Sequence, residues 1–348
     1  MRCLCLIAVI ALAALSTNAP AQQPAATGPY AVLKKTKVGG PGGFDYVYAD
    51  TAARRLYIPR SGQQGARITI WDLDSFDSLG VLPNTSARGA AVDPKSHHGF
   101  ASSKPVAMWD TRTLAPIRTI DVQGNPDGIL FDSYNGRIWL WSHTAPNATI
   151  IDAASGTVVG TLDLGGAPEQ AVTDRNGRIY VDLEDKDSVA VIDTKNLAVV
   201  ARYSLAGKGG TPAGLAFDVK NHILFVACRA PATMVMMDAN TGRILETLPI
   251  GNGSDGAVFN PATMEAFSSN SDGTLTIIKE NSPTSFAVEQ TVTTTRGAKT
   301  LTLDPKTNRI VLIAAELGPT PPPPAGGGRA GRAPMIPDSF TIWVVGKP

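Results

Sequence analysis

Three observations predict an all-β chain, a single seven-bladed β-propeller. A short segment, in which a small or apolar stretch runs into Asp and a turn, recurs seven times along the 348 residues. Between these segments the apolar residues fall in short runs or alternate, which is strand spacing and not helical spacing. Gly at 34 and Pro at 26 suit a chain of strands and turns better than one of helices.

The recurring segments are Tyr46–Asp50, Gly89–Asp93, Gly128–Asp132, Gln170–Asp174, Gly214–Asp218, Gly256–Asn260 and Thr300–Asp304, and their ends lie 43, 39, 42, 44, 42 and 44 residues apart. A period near 42 with four short strands per unit is the signature of propeller blades. Residues 213–250 show one unit in full. Gly214–Phe217 forms strand a, Ile223–Ala227 strand b, Met234–Met237 strand c and Ile244–Ile250 strand d. Turns at 218–222 and 238–242 separate a from b and c from d. Asp72, Asp110, Asp152, Asp193 and Asp238 all stand where a strand c ends. Their role is structural, because an Asp carboxylate there accepts the backbone N–H groups of the turn that follows.

The last repeat supplies strands a, b and c, ending in Phe340–Val345. Tyr30–Val38 precedes the first repeat and has no blade of its own. This N-terminal strand is expected to close the seventh blade as its strand d, which joins the two ends of the ring and removes an open sheet edge.

Units such as Ile179-Tyr-Val-Asp followed by Ser188-Val-Ala-Val-Ile-Asp193 resemble the YVTN repeat of bacterial extracytoplasmic β-propellers, the YncE-like group. The resemblance spans nearly all of residues 29–348 and is specific for fold, because the repeat residues are mostly structural. It implies a propeller that binds something, and for some YncE-like proteins DNA binding. Trp71-Asp72 and Trp109-Asp110 resemble the dipeptide of WD repeats, in two units only and without the partner Gly-His.

Residues 1–21 read as a secretory signal peptide. Arg2 gives a positive start, Leu4 to Leu15 is an apolar run too short to span a bilayer, and Ala19 and Ala21 occupy the small-residue positions before a cut after Ala21. Residues 22–28 then form a flexible lead, and residues 29–348 the propeller. Cys3 and Cys5 leave with the signal, so Cys228 stands alone and closes no internal disulfide. The expected location is the periplasm or the outside of the cell, with no membrane anchor. The 31 Lys and Arg against 30 Asp and Glu give no general attraction to nucleic acid or to an anionic membrane.

Propeller topology turns sequence position into spatial position. The residue five places before the end of each repeated segment lies at the inner mouth of the channel, on the face that carries the d–a and b–c loops. Around the ring these are Asp45, Arg88, Asp127, Glu169, Ala213, Asp255 and Lys299. Six of the seven are charged, against 18% of the whole chain. Charges crowded at a constriction carry desolvation and like-charge costs and focus the local field. Two readings are open: a binding site, or a set of charges that pair with one another. The b–c loops add His143, Glu184, Arg229 and Glu316 to the same face, with Trp141 and Asn270, whereas His97, His98 and His222 fall in turns opposite. The seventh b–c loop carries a Pro/Gly-rich insertion over residues 317–338, which either covers the mouth and brings Arg329 and Arg332 near the acids or is a disordered insertion.

No HxH, HExxH or Cys-pair spacing, no GxSxG elbow and no P-loop is present, so no cofactor is predicted. A hard cation, calcium or magnesium, has oxygen ligands to hand among Asp127, Glu169 and Asp255. The leading expectation is an exported binding module whose charged face takes a small polar ligand, a peptide or a partner protein. The second is a hydrolase of sugar-acid lactones, since seven-bladed propellers include lactonases and Glu169, His143, Arg88 and Arg229 offer a base and an oxyanion partner. DNA binding is third, disfavoured by the balanced charge and the lack of a basic stripe.

Overall fold

A computed structural model of the protein describes residues 28–62, 65–322 and 333–348. The signal segment, residues 22–27, and Arg329 and Arg332 lie outside the described residues. Seven four-stranded antiparallel sheets form a ring of blades, numbered here in chain order with strands a to d from the axis outward. The inner strands a are Tyr48–Asp50, Ala87–Asp93, Pro126–Asp132, Pro168–Thr173, Pro212–Asp218, Ser254–Asn260 and Lys299–Asp304. In the unit read above, the strands run slightly longer than the apolar stretches alone, as Pro212–Asp218, Ile223–Arg229, Ala232–Asp238 and Ile244–Pro249.

The N-terminal strand closes the ring as the repeats require. Ala31–Lys37 pairs antiparallel with Thr341–Gly346, strand c of blade 7, from Ala31 opposite Gly346 to Lys37 opposite Thr341. Blade 7 thereby reaches four strands, in the order of the N-terminal strand, c, b and a.

Strands b and c are buried on both faces, which is why they read as continuous apolar runs rather than alternating ones. Ile223–Arg229 is buried from Ile223 to Cys228, whereas the outer strand Ile244–Pro249 is only half-buried. The core is therefore a series of layers between adjacent blades. Trp139, Ile150, Ile179, Val181, Ala190 and Ile192 make one such layer between blades 3 and 4. At about 25 cal/mol per Å² of apolar surface, each fully buried side chain of this kind contributes about 2 kcal/mol.

Small residues in strand a have a steric cause, because the inner strands nearly touch around a narrow axis. A Cβ on Gly128 would stand 2.8 Å from the carbonyl oxygen of Glu169, and one on Gly214 2.8 Å from the backbone carbon of Gly256. The turn aspartates behave as their position predicts. Oδ1 of Asp238 accepts the N–H groups of Asn240 and Thr241, and Oδ1 of Asp72 those of Asp74 and Ser75. Asp110, Asp152 and Asp193 cap their turns in the same way.

Candidate functional site

The charged residues of the mouth meet side chain to side chain. Arg88 Nη1 of blade 2 lies 3.4 Å from Asp127 of blade 3 and 3.2 Å from Asp45, at the entry to blade 1. Lys299 Nζ of blade 7 lies 3.1 Å from Asp45 and 2.8 Å from Asp255 of blade 6. Arg229, from the end of strand b in blade 5, pairs with Asp255 and, at 2.5 Å, with Glu184 of blade 4. Its Nε also donates to the Ser254 carbonyl at 2.9 Å. Arg229 thus supplies the cation that Ala213 withholds at the ring position of blade 5.

The result is one string, Asp127, Arg88, Asp45, Lys299, Asp255, Arg229, Glu184, in which every neighbour has the opposite sign and every blade contributes one member. Burial works against the charge of Lys299, but Asp255 and Asp45 outweigh it and hold its pKa above the ordinary lysine value. Arg229 is likewise desolvated and held charged by Asp255, Glu169 and Glu184.

Alternation cannot close on an odd number. With seven blades, two like charges must stand side by side, and they do so between blades 3 and 4. Asp127 lies on one side of this seam, Glu169 and Glu184 on the other. Burial first, then Asp182, Asp127 and Glu184, push the Glu169 carboxyl far above the usual carboxylate range. Burial also raises Asp127, against the pull of Arg88. His143 enters the seam from the b–c loop of blade 3, with Nε2 3.5 Å from Glu169 Oε1.

Three residues that matter here do not stand out from sequence. Tyr46 reaches from blade 1 across the axis and donates to Glu169 Oε2 at 3.2 Å. Gln170 of blade 4 donates through Nε2 to the Ala257 carbonyl at 2.9 Å and accepts the N–H groups of Leu215 and Ala257 at its Oε1. Together they cross the channel below the charges. Beneath them a cavity of about 500 Å³ runs along the inner strands to Pro94, Ser133 and Arg175 in the turns of the opposite face. The third is Asp182, fully buried in strand b of blade 4, whose pKa burial raises to about 7. Its Oδ1 accepts the Gln170 N–H at 2.7 Å, and its Oδ2 has no hydrogen-bond partner. A charged residue inside the apolar run Ile179–Leu183 was the signal available for it.

The remaining expected residues stand outside the string of ion pairs. Glu316 is exposed, and its carboxylate joins none of the ion pairs among the described residues. Its backbone instead starts a ladder at the base of the insertion, with the Ile336 N–H donating to the Glu316 carbonyl at 2.8 Å and Leu317 bridging Met335. Trp141 is 1% exposed in the layer between blades 3 and 4, because strand b turns it inward. Asn270 is fully buried and donates to Thr274 and Thr276. Asp127, Glu169 and Asp255 do not converge, since Arg88 holds the first and Arg229 and Lys299 hold the last. Among the described residues, the ligand atoms that do come together belong to His143, Glu169 and Glu184, all within 4.8 Å of one another.

Beside the string, between blades 1 and 2, a cleft of about 450 Å³ opens on the same face. Asp45, Arg88, Lys104 and Lys299 line it together with Ser61, Ser103 and Asn125. Arg88 is the most open member of the string, with 48% of its side chain exposed.

No family model and no curated protein sequence matches the chain. Solved structures do. A chain in the crystal structure of the mitotic checkpoint complex superposes with a TM-score of 0.69 at 11% identity, covering 88% of this chain and 94% of that one. The structure of U3-55K gives the same score and identity over 90% of this chain and 98% of the other. At such identity the likeness shows the fold, a seven-bladed β-propeller, and nothing narrower.

Proposed function

We propose that this propeller is an exported binding module whose working face is the charged mouth, and that it takes a polar partner bearing anionic groups in the cleft beside Arg88 and Lys104. The observation that carries this reading is the polar cleft of about 450 Å³ with a half-exposed guanidinium at its edge. Lys104 and Lys299 add positive charge on the same walls. The export signal read in residues 1–21 and the YVTN-like repeats support an extracytoplasmic setting.

A thermal melt with a panel of sugar acids, lactones and short acidic peptides tests it. A ligand that binds only the folded state raises the midpoint by mass action. The expected result is a rise with one class, lost in the Arg88→Ala, Lys104→Ala double variant. A flat panel rejects the cleft as an anion site.

The second reading, hydrolysis of a sugar-acid lactone, is favoured by one contact, the His143 imidazole beside a Glu169 carboxyl whose pKa is raised by burial. A carboxyl of that kind is suited to donating a proton. Lactone hydrolysis that is unchanged in Glu169→Ala and His143→Ala would remove it.

A further inference from the structure

The seam between blades 3 and 4 combines features that the rest of the mouth lacks. It is the one junction of the ring where like charges adjoin. It also brings an imidazole nitrogen and two carboxylates within 4.8 Å of one another. We propose that His143 Nε2, Glu169 and Glu184 bind one divalent transition-metal cation, Zn²⁺ or Mn²⁺.

The geometry permits it with small side-chain movements. Metal–ligand bonds of about 2.0–2.2 Å put tetrahedral donor atoms about 3.5 Å apart, and His143 Nε2 already stands 3.5 Å from Glu169 Oε1. Glu184 holds Arg229 through Oε1, which leaves Oε2 to turn toward the seam. Three protein ligands on the solvent side of the channel leave a fourth position open to water or to a ligand atom, since 40% of the His143 side chain is exposed.

A second observation comes from beneath. Asp182 lies near the end of strand b of blade 4, Arg178–Leu183, and Glu184 opens the short 3-10 turn that follows it. Asp182 is fully buried, and its Oδ2 is without a hydrogen-bond partner. Its Oδ1 is tied to the backbone of Gln170, the neighbour of Glu169. A buried carboxylate under two others makes the seam the most negative part of the mouth, and a dication on the outer three would offset that charge. The donor set selects the ion. One imidazole with carboxylates suits Mn²⁺ to Zn²⁺, whereas calcium and magnesium take oxygen ligands throughout.

Titration calorimetry of the protein with ZnCl₂, MnCl₂ and CaCl₂ tests the site. The expected result is one equivalent of Zn²⁺ or Mn²⁺, at least tenfold weaker in His143→Ala and in Glu184→Gln, with Ca²⁺ weaker still. His143→Ala is the decisive variant, because His143 belongs to no link of the ion-pair string. His222→Ala, on the opposite face, should leave the isotherm unchanged. No saturable binding, binding retained in His143→Ala, or Ca²⁺ equal to Zn²⁺ and Mn²⁺ would overturn the proposal. The site shares the mouth with the proposed binding function but does not depend on it. Lys104 pairs with no residue of the seam, so Lys104→Ala should weaken binding of the ligand panel and leave the metal isotherm intact, and the two readings fail separately.

Discussion

Carboxylates on the two faces of this propeller do opposite work. On the face of the a–b and c–d turns, the aspartates that end strand c, Asp72, Asp110, Asp152, Asp193 and Asp238, are held by backbone N–H groups of their own turns. Asp152 accepts the Ser155 N–H at 2.8 Å and the Ser155 hydroxyl at 2.7 Å, and the same bonds pull its pKa below the ordinary Asp value. At the mouth, carboxylates meet side chains from other blades and lose water, and the pKa values of Asp127 and Glu169 rise. One residue type is a local cap in the first place and a long-range charge in the second. What differs is whether backbone donors arrive first, because a turn brings its own and a constricted channel does not.

The largest test of this contrast removes the cation shared by two mouth carboxylates. Arg229→Met leaves Glu184 and Asp255 half-buried without their common partner. It should cost about 2–3 kcal/mol in urea denaturation, since stripping one partner from a desolvated pair strands the other charge. A cost below about 0.5 kcal/mol would mean that the mouth pairs behave as surface ion pairs, and the contrast would fail.

Next in size is the loss of a turn cap. Asp152→Ala should cost about 1 kcal/mol, whereas Asp152→Asn, which keeps an acceptor oxygen, should cost a few tenths. Neither should alter binding at the mouth. Equal losses in the two variants would show that charge, and not the acceptor, holds the turn.

The smallest effects are in pH dependence, and the faces have opposite signs. Asp152 binds its proton less tightly folded than unfolded, so its contribution is present above the ordinary Asp pKa near 4 and is lost as pH falls through the depressed folded value. Asp127 binds its proton more tightly folded, so stability declines as pH climbs from about 4 through the raised folded value. In melting midpoints against pH, Asp152→Asn should flatten the acid limb and Asp127→Asn the limb above it. A common slope change in both variants would contradict the assignment.

The repeat and its closure were legible because strand, turn and cap are decided within about 40 residues of chain. Counting back five residues from the end of each repeated segment gave Asp45, Arg88, Asp127, Glu169, Asp255 and Lys299, whose side chains lie in one run of contacts because every blade repeats one geometry. The same count marked Ala213 as a gap, and it could not show that Arg229 fills it from another loop of the same blade. Nor could it show Tyr46 and Gln170 crossing the axis, since both contacts join blades that are far apart in sequence. Trp141 and Asn270 were misplaced because one residue of register decides whether a strand-end side chain faces the mouth or the core.

The sequence by itself determined seven blades, their order, the strand that closes the ring and the identity of the charges at its mouth. These follow from apolar alternation and turn chemistry, which act between near neighbours in the chain. Only the tertiary structure decided which charge meets which. Closing seven units around one axis sets those distances, and an odd ring of alternating charge must leave one seam unmatched. That the seam falls between blades 3 and 4, over Asp182 and beside His143, is a property of the closed ring.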